Sequence, residues 1–150
     1  MLGLTVQAAQ AEVDRILGDD RGAEPTFEQV PTFRYVRRVI DETLRLWPTA
    51  PGFSRGPREA TVVAGRWLME PGDMALVLLP VVHRDPQVWG PDPERFDPSR
   101  FLDADGARRR DVVASASYLP FGAGPRLCIG RDMALLEGVL VLASLATKVD

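Results

Sequence analysis

From His83 to Pro125 the sequence has no sustained hydrophobic period and is broken by Pro86, Pro91, Pro93, Pro98, Pro120 and Pro125. Proline lacks the backbone N–H that helix and sheet ladders use, so neither a helix bundle nor a continuous sheet can be threaded through this stretch. An irregular run of this length inside a compact domain is uncommon unless it is functional or disordered. Trp89, Phe96, Phe101, Tyr118 and Phe121 decide between the two, because aromatic residues at this density favour a packed loop over a solvated one. Regular structure must therefore lie on either side of a long ordered loop.

Before the loop, Val6, Ala9, Val13, Ile16 and Leu17 recur at close to helical spacing, and Gly18 stops a helix over Leu4 to Leu17. Thr26 and Gln29 form a capping-box pattern, which places Pro31 in the first turn of a second helix carrying Phe33, Val36, Ile40 and Leu44 and ended by Pro48 near Trp47. "EATVVAG" and "MALVLLP" are short, rich in branched residues and separated by the turn "EPGD", so they predict a small antiparallel sheet. After the loop, Met133, Leu136, Val139, Leu140 and Ala143 predict the apolar stripe of a further helix. The expected fold is mainly α with a small β-sheet. At 150 residues and 45% hydrophobic content, one ordinary core and one domain are expected.

A net charge of −3 with interspersed signs leaves no footprint for nucleic acid. Neither Met74 to Val82 nor Gly138 to Ala146 approaches the ~20 apolar residues of a membrane span, and "MLGLTVQAAQ" lacks the charged start of a secretory signal. One cysteine cannot form an internal disulfide, which fits a reducing compartment, and the chain is expected to be cytoplasmic.

That cysteine, Cys128, stands in "FGAGPRLCIG". A free cysteine is often buried as a small hydrophobe. Here Gly122, Gly124 and Gly130 allow positive φ or close approach by a flat ligand, Arg126 brings a fixed cation, and a helix starting near Gly130 turns its positive end toward the sulfur. Both charges favour thiolate, the form that attacks electrophiles or binds metal. A nucleophile would want a base, but nothing in sequence places the single histidine, His83, beside Cys128. Zinc needs three or four ligands, and one Cys with one His cannot supply them. A single protein ligand to a metal whose other positions a cofactor fills remains, as in haem iron bound by a cysteine thiolate.

In "ETLR", Glu42 and Arg45 share one helix face, where an exposed pair contributes only about 0.3 kcal/mol. The "LWP" that follows takes the last turn into apolar surroundings, where the arginine fork can bond a carboxylate and backbone carbonyls together.

"FGAGPRLCIG" resembles the haem-binding signature of the cytochrome P-450 family, F-x-x-G-x-R-x-C-x-G, at Phe121, Gly124, Arg126, Cys128 and Gly130. "ETLR" resembles that family's E-x-x-R in its K helix, and the Pro-rich stretch its meander. "ETLRLWPTAP" and "LPVVHRDPQVWG" are most similar to bacterial fatty-acid hydroxylases whose haem domain is fused to a reductase. The resemblance implies haem b as cofactor, Cys128 as axial thiolate, Arg126 as partner of a haem propionate, and Phe121 packed beside the sulfur, with Gly122, Gly124 and Gly130 shaping the loop. It also implies a structural triad of Glu42, Arg45 and a meander arginine. Arg95 in "PERF" and Arg100 in "FDPSRF" compete for the third place, and Arg100 fits the family's F-x-P-x-R-F spacing.

By the same resemblance, residues 1–150 are expected to form part of a catalytic domain, from about helix J to helix L, and to lack the distal I helix, the substrate-closing N-terminal elements and any reductase. The expected function is haem-thiolate monooxygenation of a small hydrophobic substrate such as a fatty acid, with electrons from a reductase or ferredoxin, and no catalytic residue is expected within this stretch. Two alternatives stay open: a non-catalytic remnant that binds haem weakly or not at all, and a small cysteine-nucleophile enzyme, which explains Cys128 but neither the E-x-x-R helix nor the irregular loop.

Overall fold

A computed structural model describes residues 2–18, 20–102 and 116–148. Helix α1 (Leu2–Leu17) buries Ala9 and Val13 and ends at Gly18, whose φ of +80° lets its N–H close back on the Asp14 carbonyl. The capping signal at Thr26 is real, since its N–H donates to Gln29 Oε1 at 2.9 Å, but it opens a 3₁₀ helix over Phe27–Thr32 that contains Pro31. The expected long second helix is thus two elements. Phe33, at φ −76° and ψ 69°, leaves the helical path and drops its side chain into the core, and α2 (Arg34–Leu46) begins only after it.

With no side-chain cap from Phe33, α2 takes its N-terminal partner from α1: the Glu12 carboxylate accepts the N–H of Tyr35 at 2.7 and 2.8 Å and of Val36 at 2.9 Å. Helix α5 (Arg131–Ala146) completes a three-helix core of Ala9, Val13, Phe33, Val36, Val139, Ala143 and Ala146. Its buried stripe is Leu135, Val139, Ala143 and Ala146. Val139 and Ala143 of the expected stripe are buried, but Leu136 and Leu140 are only half-buried and Met133 is exposed, so the buried face is turned toward Leu135. Gly138 lets α5 approach α2, for a Cβ there would lie 3.2 Å from Ile40 Cδ1.

The sheet expectation is corrected as well. The strands pair as β1 (Gly52–Arg55) with β4 (Ala75–Leu78), Phe53 opposite Val77, and as β2 (Thr61–Val63) with β3 (Trp67–Met69), Val62 opposite Leu68, both antiparallel. "EPGD" does turn, with Asp73 N–H on the Glu70 carbonyl, but it joins β3 to β4 in different sheets. Ala64 (φ 52°) and Gly65 (φ +69°) make the tight turn of the β2–β3 hairpin, the two-positive-φ arrangement that matches strand twist.

The described residues of the irregular segment pack around its aromatics Trp89, Phe101 and Tyr118. A short helix α3 (Leu79–Val82) leads into it, and it holds the short helix α4 (Pro86–Trp89) and a 3₁₀ turn over Pro98–Phe101, each with proline in its first turn. Trp89, Phe101 and Tyr118 form a second buried cluster, with Phe101 edge-on to Tyr118 at 5.1 Å between ring centroids. Among the described residues no helix is long and apolar enough to cross a membrane.

Candidate functional site

Cys128 is exposed, at the end of a loop that folds back on itself. Its N–H donates to the Phe121 carbonyl at 2.9 Å, and the turn between them is closed by Gly122 N–H on Leu119 O at 3.0 Å and Leu127 N–H on Gly124 O at 3.0 Å. Gly122 (φ +74°) and Gly124 (φ +65°) adopt backbone that side chains resist. Gly130 does not: its φ is −85°, and a Cβ there would meet Cys128 Sγ at an ordinary 3.9 Å. Helix α5 starts at Arg131, whose N–H donates to the Cys128 carbonyl at 3.3 Å, so the positive end of the helix adjoins the loop.

Around the thiol, Leu127, Ile129 and Met133 are exposed, Ile129 completely, and Arg126 is exposed two residues upstream. Phe121 is half-buried at the loop's start. A reachable sulfur, apolar side chains facing outward and a guanidinium nearby fit a flat apolar group with a metal centre and carboxylates at its rim, which is the chemistry of haem. A metal bound by protein alone does not fit, because the described residues contain no group of three or more His, Cys, Asp or Glu that could hold one. A cavity of about 250 Å³ beside the loop is lined by Arg37, Asp41, Tyr118, Phe121, Leu127 and Arg131. Both of its guanidiniums are matched by carboxylates, Arg37 with Asp41 at 3.4 Å and Arg131 with Asp132 at 2.8 Å.

Glu42 and Arg45 are not a surface pair. Both side chains are 0% exposed and meet in a fork, Arg45 Nε to Glu42 Oε2 at 2.6 Å and Nη2 to Oε1 at 2.8 Å. The remaining donors of Arg45 reach the carbonyls of His83 (2.9 Å), Pro93 (2.7 Å) and Arg95 (3.2 Å), and its guanidinium lies 5.0 Å from the Trp89 ring centre. Glu42 Oε1 also accepts the Asp97 N–H at 2.7 Å. Of the two competing arginines, Arg100 approaches Glu42 Oε1 at 3.6 Å and donates to the carbonyls of Trp89 and Asp92. The Arg95 side chain points outward, 48% exposed, and comes no nearer than 4.0 Å to the Asp97 carboxylate.

His83, set aside as a base, is fully buried and hydrogen-bonded through both ring nitrogens, to Arg45 O and Leu119 N. Burial holds it neutral, with its pKa pushed down to about 4. Tyr118 likewise ties the loop to α2, its hydroxyl donating to the Asp41 carbonyl at 3.0 Å. Neither link has a local sequence signal, for each joins residues more than thirty positions apart.

A family model described as Cytochrome P450 matches residues 5–147. The bifunctional cytochrome P450/NADPH–P450 reductase 1 of Bacillus subtilis is 45% identical over 137 residues, 91% of this chain and 12% of that protein. The bifunctional cytochrome P450/NADPH–P450 reductase of Bacillus cereus is 43% identical over 141 residues, 93% of this chain and again 12% of the relative. Cyclooctatin synthase of Streptomyces melanosporofaciens is 42% identical over 141 residues, 94% of this chain and 29% of that enzyme. The chain thus spans about an eighth of the length of the reductase-fused relatives.

Proposed function

Because the chain belongs to the cytochrome P450 family, whose cofactor is haem, we propose that it is the proximal haem-binding part of a haem-thiolate monooxygenase. The observation that carries this reading is the single exposed thiol of Cys128, held in a glycine turn between the exposed apolar residues Leu127 and Ile129. In the proposal the group is haem b, Cys128 is its axial ligand, Arg126 pairs with a propionate, Phe121 packs beside the sulfur, and Gly122, Gly124 and Gly130 give the macrocycle room. Bound there, haem would supply the iron chemistry that inserts one oxygen atom of O2 into an organic substrate.

The chain's own residues hold and orient. The Phe121–Cys128 backbone bond sets the direction of the sulfur, and the positive end of α5 adjoins the loop that carries it. Glu42, Arg45 and Arg100 act as a structural triad that fixes the irregular segment against α2. Residues 1–150 would form a partial domain, helices J to L with the meander and thiol loop, and no residue in it is assigned to proton delivery. Electrons would come from a reductase, as the names of the two bifunctional Bacillus relatives suggest by fusion, and a small hydrophobic substrate, a fatty acid among them, is the proposed class.

The test replaces the matching segment of the Bacillus subtilis relative with residues 5–147 and reads the reduced carbonyl complex. A long-wavelength Soret band that Cys128→Ser abolishes is the expected result. A thiolate-type band that survives Cys128→Ser, or a chimera that never forms one, would overturn the assignment.

A further inference from the structure

His83 is the chain's only histidine, it is fully buried, and nothing in the proposed chemistry uses it. Its hydrogen bonds are directional. Leu119 N–H can only donate, so His83 Nε2, 2.9 Å away, must be the lone-pair nitrogen. The proton is then on Nδ1, 3.1 Å from the Arg45 carbonyl oxygen, which accepts it. That carbonyl is in the last turn of α2, where no intrahelical donor is left for it. One neutral tautomer therefore satisfies a helix C-terminus on one side and an amide of the thiol loop on the other.

Leu119 is the point from which the loop is hung. Its carbonyl accepts the Gly122 N–H, and two residues along, the Phe121 carbonyl accepts the Cys128 N–H. The preceding residue, Tyr118, sets its ring tilted at 35° with its centre 5.5 Å from that of His83, and its hydroxyl donates to the Asp41 carbonyl of α2. We infer that His83 is a positioning residue for Cys128: through its Nδ1–H tautomer it fixes the Leu119–Phe121 segment to the end of α2, and so sets where the sulfur of the loop points. This rests on the reading of Cys128 as the ligand of the bound group, but its geometry can be tested with no group bound.

In the 150-residue chain, selective ¹⁵N-histidine labelling gives one ring to observe. The expected spectrum is that of the Nδ1–H tautomer; an Nε2–H tautomer, or a ring averaging between the two, would overturn the inference. Amide hydrogen exchange supplies the second arm. His83→Leu should speed exchange at Leu119, Gly122 and Cys128 by about tenfold or more, while core amides of α1 and α5 stay within about twofold. His83→Gln, whose side chain offers both a donor and an acceptor, should return Cys128 to within about threefold of the unaltered chain. Uniform acceleration along the chain, no selective effect at Cys128, or no rescue by glutamine would each reduce His83 to an ordinary core residue. If His83→Leu does not fold, the tautomer and the His83→Gln exchange still decide. Failure of the haem reading would appear separately, in the Cys128→Ser spectrum.

Discussion

Arg45 and His83 each bond the other's backbone carbonyl with their own side chain, Arg45 Nη1 to His83 O at 2.9 Å and His83 Nδ1 to Arg45 O at 3.1 Å. The exchange is buried on both sides, so altering one residue leaves the other's polar atoms without water to turn to. The burial that encloses it also makes neutral His83 harder to protonate.

Burial is the main cause that lowers His83 from 6.5 to about 4; the bond to the Arg45 carbonyl works against it, and the charges of Arg45 and Arg84 add to it. The folded state thus holds its proton less readily than the unfolded chain. Stability from neutral His83 is complete above the unfolded value of 6.5, is lost as pH falls from there to about 4, and is constant below, a total of ~3 kcal/mol. Urea denaturation of the chain and of His83→Gln across this range should show the stability difference shrinking as pH falls. A pH-independent difference would contradict the assignment of the titration to His83.

The triad choice predicts unequal arginines. Arg100 is 14% exposed and approaches the buried Glu42 carboxylate, whereas Arg95 is solvated. Arg100→Ala should cost ~3–5 kcal/mol and Arg95→Ala less than about 0.5 kcal/mol, read from urea midpoints. Equal losses would show that the two copies of the motif are equivalent.

Loop chemistry predicts a second contrast. In a haem-competent form, such as the chimera, Arg126→Leu should weaken haem retention while the thiolate-type carbonyl spectrum of the bound fraction stays unchanged, because the exposed guanidinium is not part of the sulfur's backbone turn. A shift in ligand type with Arg126→Leu would place the arginine in the geometry of the sulfur.

Glu12 predicts a stability effect far from the thiol. Its carboxylate caps α2 from another helix through bonds to Tyr35 and Val36 N–H. Glu12→Ala should cost ~1–2 kcal/mol and free those two amides to exchange first. Unchanged protection there would mean that water replaces the cap at no cost.

Much of this was legible in the sequence where short-range chemistry decides. The glycine turn around Cys128 needs positive φ at Gly122 and Gly124, and only glycine supplies it freely. Gly18 likewise marks the end of α1. What was illegible is long-range. Strand β1, "GFSR", has no alternation to announce it and is chosen by its partner β4. The face of α5 could not be told because "RDMALLEGVLVLASLA" is apolar almost all round, so periodicity offers several stripes and packing against α1 and α2 selects one. The capping box at Thr26 signals a helix start but not which helix, because burial of Phe33 interrupts the path between the 3₁₀ helix and α2.

Helix α2 is finished at both ends by residues it meets only through tertiary contact: Glu12 at its N-terminus, and at its C-terminus His83 on the Arg45 carbonyl and Arg84 on the Leu46 carbonyl at 2.9 Å. No local segment containing α2 alone can close these ends. Two loops, of 23 and 38 residues, must be drawn in before the helix is satisfied, so its completion carries a chain-entropy barrier that its own sequence cannot lower. Folding of this molecule is therefore expected to be slow for its helix content, with α2 consolidating together with the irregular segment rather than ahead of it.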